Sequence, residues 1–481
     1  MRKTLLLLAS VALSMVVALS VLLFSGSPST RPQEAQAATG RPNFVFILAD
    51  DMRKDDLRYM PKTRSLLKDR GMSFSNSYVS NALCVPSRST ILRGQYAHNT
   101  RVWSNGEGDD PTGGWQAFRS NGGERDNLAT RLHSAGYRTA LIGKYLNGYE
   151  NTRYVPPGWD RWFATFAFDY FDYDVNDQGT LRHYGSRRGD YLTDVLRRQT
   201  TRFIGTSAAS GRPFFAYVAP IAPHTGVPAP RDAHAYDGIK APRLPSFNEK
   251  DVSDKPPWIR KLPRLSDREK AKINRHQEAR AETLQALDDL VAGMVGKLRA
   301  SGQLGNTYVV FTSDNGIFRG EHRIPFASKG RPYEEDVNMP LLVRGPGVAA
   351  GSDTAKLALN TDYFPTFTDL AGVQTPGYVD GRSLRPVLKG NATSWRSAVL
   401  LEAHHTRYSG ATPSYRAIRT NEGKKYVEYA DGHRELYDLG SDPYELRNGY
   451  KATAPPSGLA TRLEALKGCA GLACRQAEDG Q

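Results

Sequence analysis

The chain has 481 residues, of which 39% are hydrophobic and 24% charged, with three cysteines and a formal net charge of +14 at pH 7. That balance excludes an intrinsically disordered chain and a disulfide-built miniature scaffold, and the length permits two or three domains around a substantial core. A positive surface of this kind concentrates polyanions by long-range attraction.

At the N-terminus, Arg2 and Lys3 precede an apolar run from Leu5 to Phe24, and Ala35-Gln36-Ala37 forms a small-x-small cleavage site. Residues 1–37 therefore read as an export signal, with an uncleaved anchor as the alternative because about 20 apolar residues can span a bilayer. The expected location is secreted or extracytoplasmic, with a membrane involved only if the leader is retained. Asn43 to Ala49 is a continuous apolar run ending in Asp50-Asp51 and predicts a buried central strand. Asn127 to Ala135 predicts a helix, and Tyr137 to Ile142 a strand followed by Gly143-Lys144. Further strands are predicted at Pro213 to Ala219 and Asn306 to Thr312. Between them Leu284, Leu287, Val291, Met294, Val295 and Leu298 give Ala281 to Leu298 one apolar stripe. The intervening stretch Asp251 to Arg268, rich in Pro, Lys and Asp, reads as a surface loop or lid.

This alternation predicts an α/β layered domain with a mainly parallel sheet over residues 38–395. After a helix at Tyr363 to Ala371 the pattern changes. Short β-prone segments at Val399 to Glu402, Tyr415 to Arg419, Lys425 to Tyr429 and Leu436 to Leu439, with turns at Asn421-Glu422-Gly423 and Asp431-Gly432, predict a smaller antiparallel sheet in residues 396–481. A helix near Leu459 to Leu466 closes it.

The residues that carry chemistry follow the predicted strands. Asp50 and Asp51 end the first, Lys144 the second, Pro223-His224 the third and Asp314-Asn315-Gly316 the fourth. In open α/β sheets the ligand site lies beyond the carboxyl ends of the strands, so these groups should converge. Three carboxylates and an amide oxygen make a hard shell suited to Ca²⁺ or Mg²⁺ and unsuited to zinc. Cys84 has no obvious disulfide partner, because Cys469 and Cys474 lie together near the C-terminus and could close a small loop of their own.

Cys84-Val85-Pro86-Ser87-Arg88, with Leu92-Arg93-Gly94 behind it, resembles the sulfatase signature, although the residue after the cysteine is usually smaller than Val85. Gly136 to Leu146 resembles the second sulfatase signature, and Phe311 to Gly316 the block that supplies the last metal ligands. The resemblance implies an alkaline-phosphatase-like fold and oxidation of Cys84 to formylglycine by a formylglycine-generating enzyme. It implies one Ca²⁺ held by Asp50, Asp51, Asp314 and Asn315 with the residue made from Cys84. Arg88, Lys144, His224 and Lys329 would surround the sulfate, Lys329 being placed by Lys329-Gly330-Arg331-Pro332-Tyr333-Glu334. Where many members have a histidine two residues beyond the signature lysine, this chain has Leu146. Gly143 to Tyr149, Tyr154 to Trp159 and Gly94 to Asn99 are similar to the N-acetylglucosamine-6-sulfatase branch.

The expected function is thus an exported, Ca²⁺-dependent sulfuric ester hydrolase acting on a sulfated saccharide, with 6-sulfated N-acetylglucosamine as the subfamily substrate. Two alternatives stand beside it: a phosphodiesterase or phosphonate monoester hydrolase of the same superfamily, and a non-catalytic surface protein that binds polyanions. Nucleic acid is not an expected partner. His98 and His322 lie near signature segments and read as structural or substrate-facing. His404-His405 are adjacent on a predicted strand, point to opposite faces and do not suit joint metal ligation.

Overall fold

β1 (Asn43–Ala49) is buried along its whole length, as a strand covered on both faces must be. The structure is a computed structural model that describes residues 40–106, 110–166, 168–404 and 413–480; the expected leader and His405 lie outside these. Residues 38–481 cluster as one compact unit. Among the described residues no helix is long and apolar enough to cross a membrane.

The remaining strands are β2 (Met72–Phe74), β3 (Ser77–Tyr78), β4 (Arg138–Lys144), β5 (Arg161–Thr165), β6 (Tyr173–Asp177), β7 (Thr180–Tyr184), β8 (Phe214–Ala219), β9 (Thr307–Ser313), β10 (Leu341–Arg344), β11 (Ser352–Thr354), β12 (Ala358–Leu359), β13 (Ala398–Ala403), β14 (Tyr415–Thr420), β15 (Lys424–Tyr429) and β16 (Arg434–Asp438). A ten-stranded sheet runs β11-β2-β10-β9-β1-β8-β4-β5-β6-β7, and β13 to β16 form a separate four-stranded sheet. The five strands from β9 to β5 in that order are mutually parallel. β10 and β6 join them antiparallel and β7 pairs antiparallel with β6, and β13 to β16 are antiparallel throughout. This is the expected α/β layered fold with its smaller antiparallel sheet.

Successive side chains of β1 feed two different layers. Val45 and Ile47 pack against the helices Leu192–Ala209 and Asp267–Ala300, through residues such as Val195, Leu284, Leu287 and Val291. Phe44, Phe46 and Leu48 pack on the other face against Val85, Ile91, Leu132, Phe364 and Phe367. The long helix is started by Ser266, whose hydroxyl accepts from the Glu269 amide while the Glu269 carboxylate accepts from the Ser266 amide at 2.7 Å. The helix Leu128–Ser134 is capped by Asn127, which accepts from the amides of Ala129 and Thr130.

The segment expected as a surface loop or lid is a largely exposed loop, and it is anchored to the body. Val252 and Ile259 are buried with Phe318, Tyr333 and Tyr437, and Lys255 Nζ donates to the Glu445 carbonyl at 2.7 Å. Its proline and charge content suggested exposure, but Val252 and Ile259 supply part of a small core, with Trp258 and Leu262 half-buried against it. The four-stranded sheet shares another core with Tyr78, Val79, Val337 and Met339 of the main body, closed by the helix Ser457–Lys467. Cys469 and Cys474 are disulfide-bonded.

Glu435 on β16 ties the smaller sheet to the segment that follows β9. Buried completely, it accepts hydrogen bonds from the hydroxyls of Tyr333 at 2.8 Å, Tyr429 at 2.7 Å and Tyr437 at 2.6 Å. Buried polar groups left unpaired cost about 1–3 kcal/mol each. Glu435→Ala should therefore lower stability by at least about 3 kcal/mol, read as a reduced denaturation midpoint; an unchanged midpoint would contradict this reading of the contact.

Candidate active site

The register of the sheet decides where the site forms. Asn43 to Ala49 pairs residue for residue with Thr307 to Ser313, so β1 and β9 end level and Asp50 emerges beside Asp314. β8 and β4 pair as far as Ala219 and Gly143, which brings Lys144 and the Ala222-Pro223-His224 turn to the same edge. Asp50 pairs with Pro223 across an isolated bridge. Two glycines permit the close approach. Gly143 has φ +119° beneath the Ala219 carbonyl, and a Cβ at Gly316 would press into the Glu335 carbonyl oxygen.

Cys84 opens the helix Cys84–Arg93, nine of whose ten residues are buried. The amide of Val85 donates to Asn105 Oδ1 at 3.0 Å, and Gly94 ends the helix in the left-handed region. Arg88 lies one turn after Cys84 on the same face. It is wholly buried: Nε donates to Asp314 Oδ2 at 2.8 Å, Nη1 to the Lys144 carbonyl at 3.1 Å, and Nη2 lies 3.7 Å from Asp50 Oδ2.

Around this helix end the structure gathers Asp50, Asp51, Cys84, Arg88, Lys144, His224, Asp314, Asn315 and Lys329. Lys144 Nζ donates to Asp50 Oδ2 at 2.7 Å. Lys329 Nζ donates to Asp51 Oδ1 at 2.6 Å and lies 3.1 Å from Cys84 Sγ. Cys84 Sγ is 3.7 Å from Asp50 Oδ1 and 3.9 Å from Asp51 Oδ1. The Asn315 amide nitrogen donates to Asp51 Oδ1 at 2.6 Å. His224 Nε2 lies 3.5 Å from Asp51 Oδ2, and the ring stacks on Phe168 with centroids 4.5 Å apart. Lys144 Nζ sits 4.6 Å over the same phenyl ring.

Burial and charge oppose each other throughout. Burial alone would raise Asp50, yet the charges of Lys144, His224, Arg88 and Lys329 hold it well below the usual carboxylate range. Asp51 is likewise lowered against burial, chiefly by Lys329. Asp314 goes the other way, raised by burial and the Asp50 charge. Burial pushes the Cys84 thiol up to about 11, and it lowers His224 despite Asp51 and Asp50.

A divalent cation fits this donor set. The ligand atoms of Asp50, Asp51 and Cys84 all lie within 4.8 Å of one another, and Asn315 Oδ1 is buried without a hydrogen-bond partner. A buried, unpartnered amide oxygen on a side chain that touches Asp51 is the kind of hard donor that Ca²⁺ or Mg²⁺ takes.

Several supporting residues carried no motif. Asp51 has φ +59°, a conformation that costs energy for a non-glycine residue and must be held from outside. Arg280, 3% exposed in the long helix, holds it: Nη2 donates to the Asp51 carbonyl at 2.6 Å and Nη1 to the Pro223 carbonyl at 3.0 Å. Its signal was an arginine on the buried stripe, four residues before Leu284. Tyr170 donates to the His224 carbonyl at 2.9 Å. The two uncertain histidines are both engaged elsewhere: His98 with Glu402 and the Cys469 carbonyl, and His322 with Glu249 at 2.6 Å. His404 is exposed near Trp103.

Residues 42–373 match the sulfatase family model, and residues 320–466 match the model for the C-terminal part of N-sulphoglucosamine sulphohydrolase. The chain belongs to the sulfatase family, and it is an enzyme. This sulfatase is 33% identical over 489 residues to the N-acetylglucosamine-6-sulfatase of Capra hircus, covering 92% of this chain and 86% of the relative. It is 33% identical over 532 residues to an arylsulfatase of Volvox carteri, covering 96% and 79%. Among solved structures, one described as a complex with its substrate D-glucosamine-2-N,6-O-disulfate superposes with a TM-score of 0.76 at 24% identity, over 92% of this chain and 99% of the other. The phosphonate monoester hydrolase of Agrobacterium radiobacter gives 0.67 at 23%, over 89% and 94%. Those two likenesses concern the fold.

Arg280→Met keeps the bulk of the side chain and removes both carbonyl contacts. Outer partners of metal ligands typically control affinity by about 10–100-fold, so if Asp51 is a ligand this variant should bind a divalent cation that much more weakly than the wild type in a metal titration. Wild-type retention would contradict the assignment.

Proposed function

We propose that this sulfatase releases sulfate from 6-sulfated N-acetylglucosamine units, using a formylglycine made from Cys84 and a Ca²⁺ held by Asp50, Asp51, Asp314, Asn315 and that modified residue. The observation that carries the substrate is the 33% identity, over 92% and 91% of this chain, to the N-acetylglucosamine-6-sulfatases of Capra hircus and Homo sapiens. Export rests on the leader read from residues 1–37 and agrees with extracellular sulfatases of Drosophila melanogaster and Caenorhabditis elegans, 34% and 33% identical over 76% and 82% of this chain. The formylglycine-generating enzyme is the partner that maturation would need.

The hydrated aldehyde would supply two geminal hydroxyls, one a nucleophile for sulfur and one for sulfate release, and a cation held by Asp50, Asp51, Asp314 and Asn315 would supply Lewis acidity beside them. The chain's own residues prepare that event. Asp50 and Asp51 stay ionised because Lys144 and Lys329 face them. Those two lysines and Arg88 present cationic donors toward the place where sulfuryl oxygens gain charge. His224, with a buried Nδ1 that lacks a partner and a side chain 22% exposed, is placed to hold a proton for the departing sugar oxygen. Phe168 fixes the plane of its ring.

The phosphonate monoester hydrolase alternative shares the fold, but the sequence relatives above 30% identity that are named here act on sulfate esters by name. Purified protein from a host that carries the modifying enzyme should release sulfate from N-acetylglucosamine-6-sulfate and leave phosphonate monoesters intact. Cys84→Ala should abolish release with the fold preserved, and Lys144→Ala should lower kcat about 10²–10³-fold, the loss typical of one well-placed donor. Preferential turnover of phosphonate esters would replace the sulfate reading with the alternative.

A further inference from the structure

The turn that carries Asp50 and Asp51 continues into a second cleft, of about 450 Å³, lined by Lys54, Arg58, Arg64 and Lys68. Its floor includes Leu341 and Leu342 of β10, which pair with Thr312 and Phe311 near the end of β9. The cleft therefore lies beside the end of β9, from which Asp314 emerges. Further positive charge lies behind it. Arg344 Nη1 donates to the Leu66 carbonyl at 2.9 Å, and after burial the neighbouring Arg299 and Arg70 charges are what hold its pKa down.

Few acids answer these cations. Asp55 is shared among Arg53, Arg58 and Arg319, and Asp353, on the lip, accepts from the Ser73 hydroxyl. Arg58, Arg64, Lys68 and Arg70 are exposed. Like charges brought together on a surface repel, and a multivalent anion relieves that repulsion. The aromatic ring in the lining, Phe74, is 2% exposed, so the cleft offers no platform for stacking bases and no apolar wedge for a bilayer. Its chemistry suits a flexible chain of sulfate groups.

We propose that this cleft is a second anion-binding site, separate from the Cys84 cluster, that holds a neighbouring stretch of a sulfated polysaccharide. The choice of polymer rests on the sulfate-ester reading of the active site. Binding of this kind releases condensed counterions and weakens steeply with salt.

The test is the variant Arg58→Glu/Arg64→Glu/Lys68→Glu, which spares Lys54 because it lies three residues after Asp51 and its ammonium bonds the Ser75 carbonyl. A control variant, Arg188→Glu/Arg202→Glu/Arg260→Glu, makes the same change in net charge at exposed arginines elsewhere. Affinity for heparin is measured against NaCl concentration, alongside turnover of N-acetylglucosamine-6-sulfate. The cleft variant should bind more weakly, with the log–log salt slope reduced by roughly 2 to 3, and should turn over the monosaccharide as the wild type does. The control should keep the wild-type slope. Equal losses in both variants, or none in the cleft variant, would overturn the proposal. Tighter wild-type binding to duplex DNA or to vesicles of phosphatidylserine and phosphatidylcholine at the same salt would overturn the choice of polymer. Heparin binding requires no turnover, so failure to hydrolyse the monosaccharide would count against the active-site reading alone.

Discussion

Three buried carboxylates, Asp50, Asp51 and Asp314, share the end of two neighbouring strands, and much of this molecule is arranged to make that tolerable. Unpaired charges in a protein interior cost several kcal/mol each even after relaxation. Here the compensation arrives from three separate elements: Arg88 on the buried helix, Lys144 at the end of β4 and Lys329 on the segment before Tyr333. The same pairing that stabilises the carboxylates concentrates positive charge around the Cys84 sulfur. Stability and reactivity of the site thus depend on one set of contacts.

That arrangement explains why the smaller sheet belongs to the catalytic body. Lys329 sits four residues before Tyr333, whose hydroxyl is fixed by Glu435, and Glu334 pairs with Lys425 at 2.9 Å. The antiparallel sheet therefore holds the segment that delivers Lys329. The long helix does the equivalent for the other side, since Arg280 fixes the carbonyls of both Asp51 and Pro223. Site residues drawn from six places in the sequence are positioned by four layers of the fold.

The centre of the sheet was legible because buried parallel strands are uninterrupted apolar runs and their polar ends stand out. β1, β8 and β9 lie within a residue or so of their expected limits, and the residues after them converge. The edges were not legible. β7 is exposed and almost free of apolar residues, and β2 and β11 have only three residues each, so neither periodicity nor length marks them. The segment before the long helix is the surface loop its composition suggested, but its anchors were not legible, because proline and charge report on local chain character, whereas Val252 and Ile259 are buried by partners distant in sequence. Arg280 escaped notice for a related reason: its role is to bond two backbone carbonyls, and no side-chain motif records that. The proximity of Cys469 and Cys474 in sequence allowed a disulfide without deciding it, and the structure bonds them, whereas the proposed fate of Cys84 would depend on a second enzyme.

The mechanism turns on the chemical state of residue 84. Its most direct test is the mass of the peptide spanning Cys84, taken from catalytically active protein purified from its own host, with hydroxylamine used to tag a carbonyl. The account predicts an aldehyde in place of the thiol, in a fraction that rises in step with specific activity. An intact thiol in protein that fully turns over a sulfate ester would contradict it.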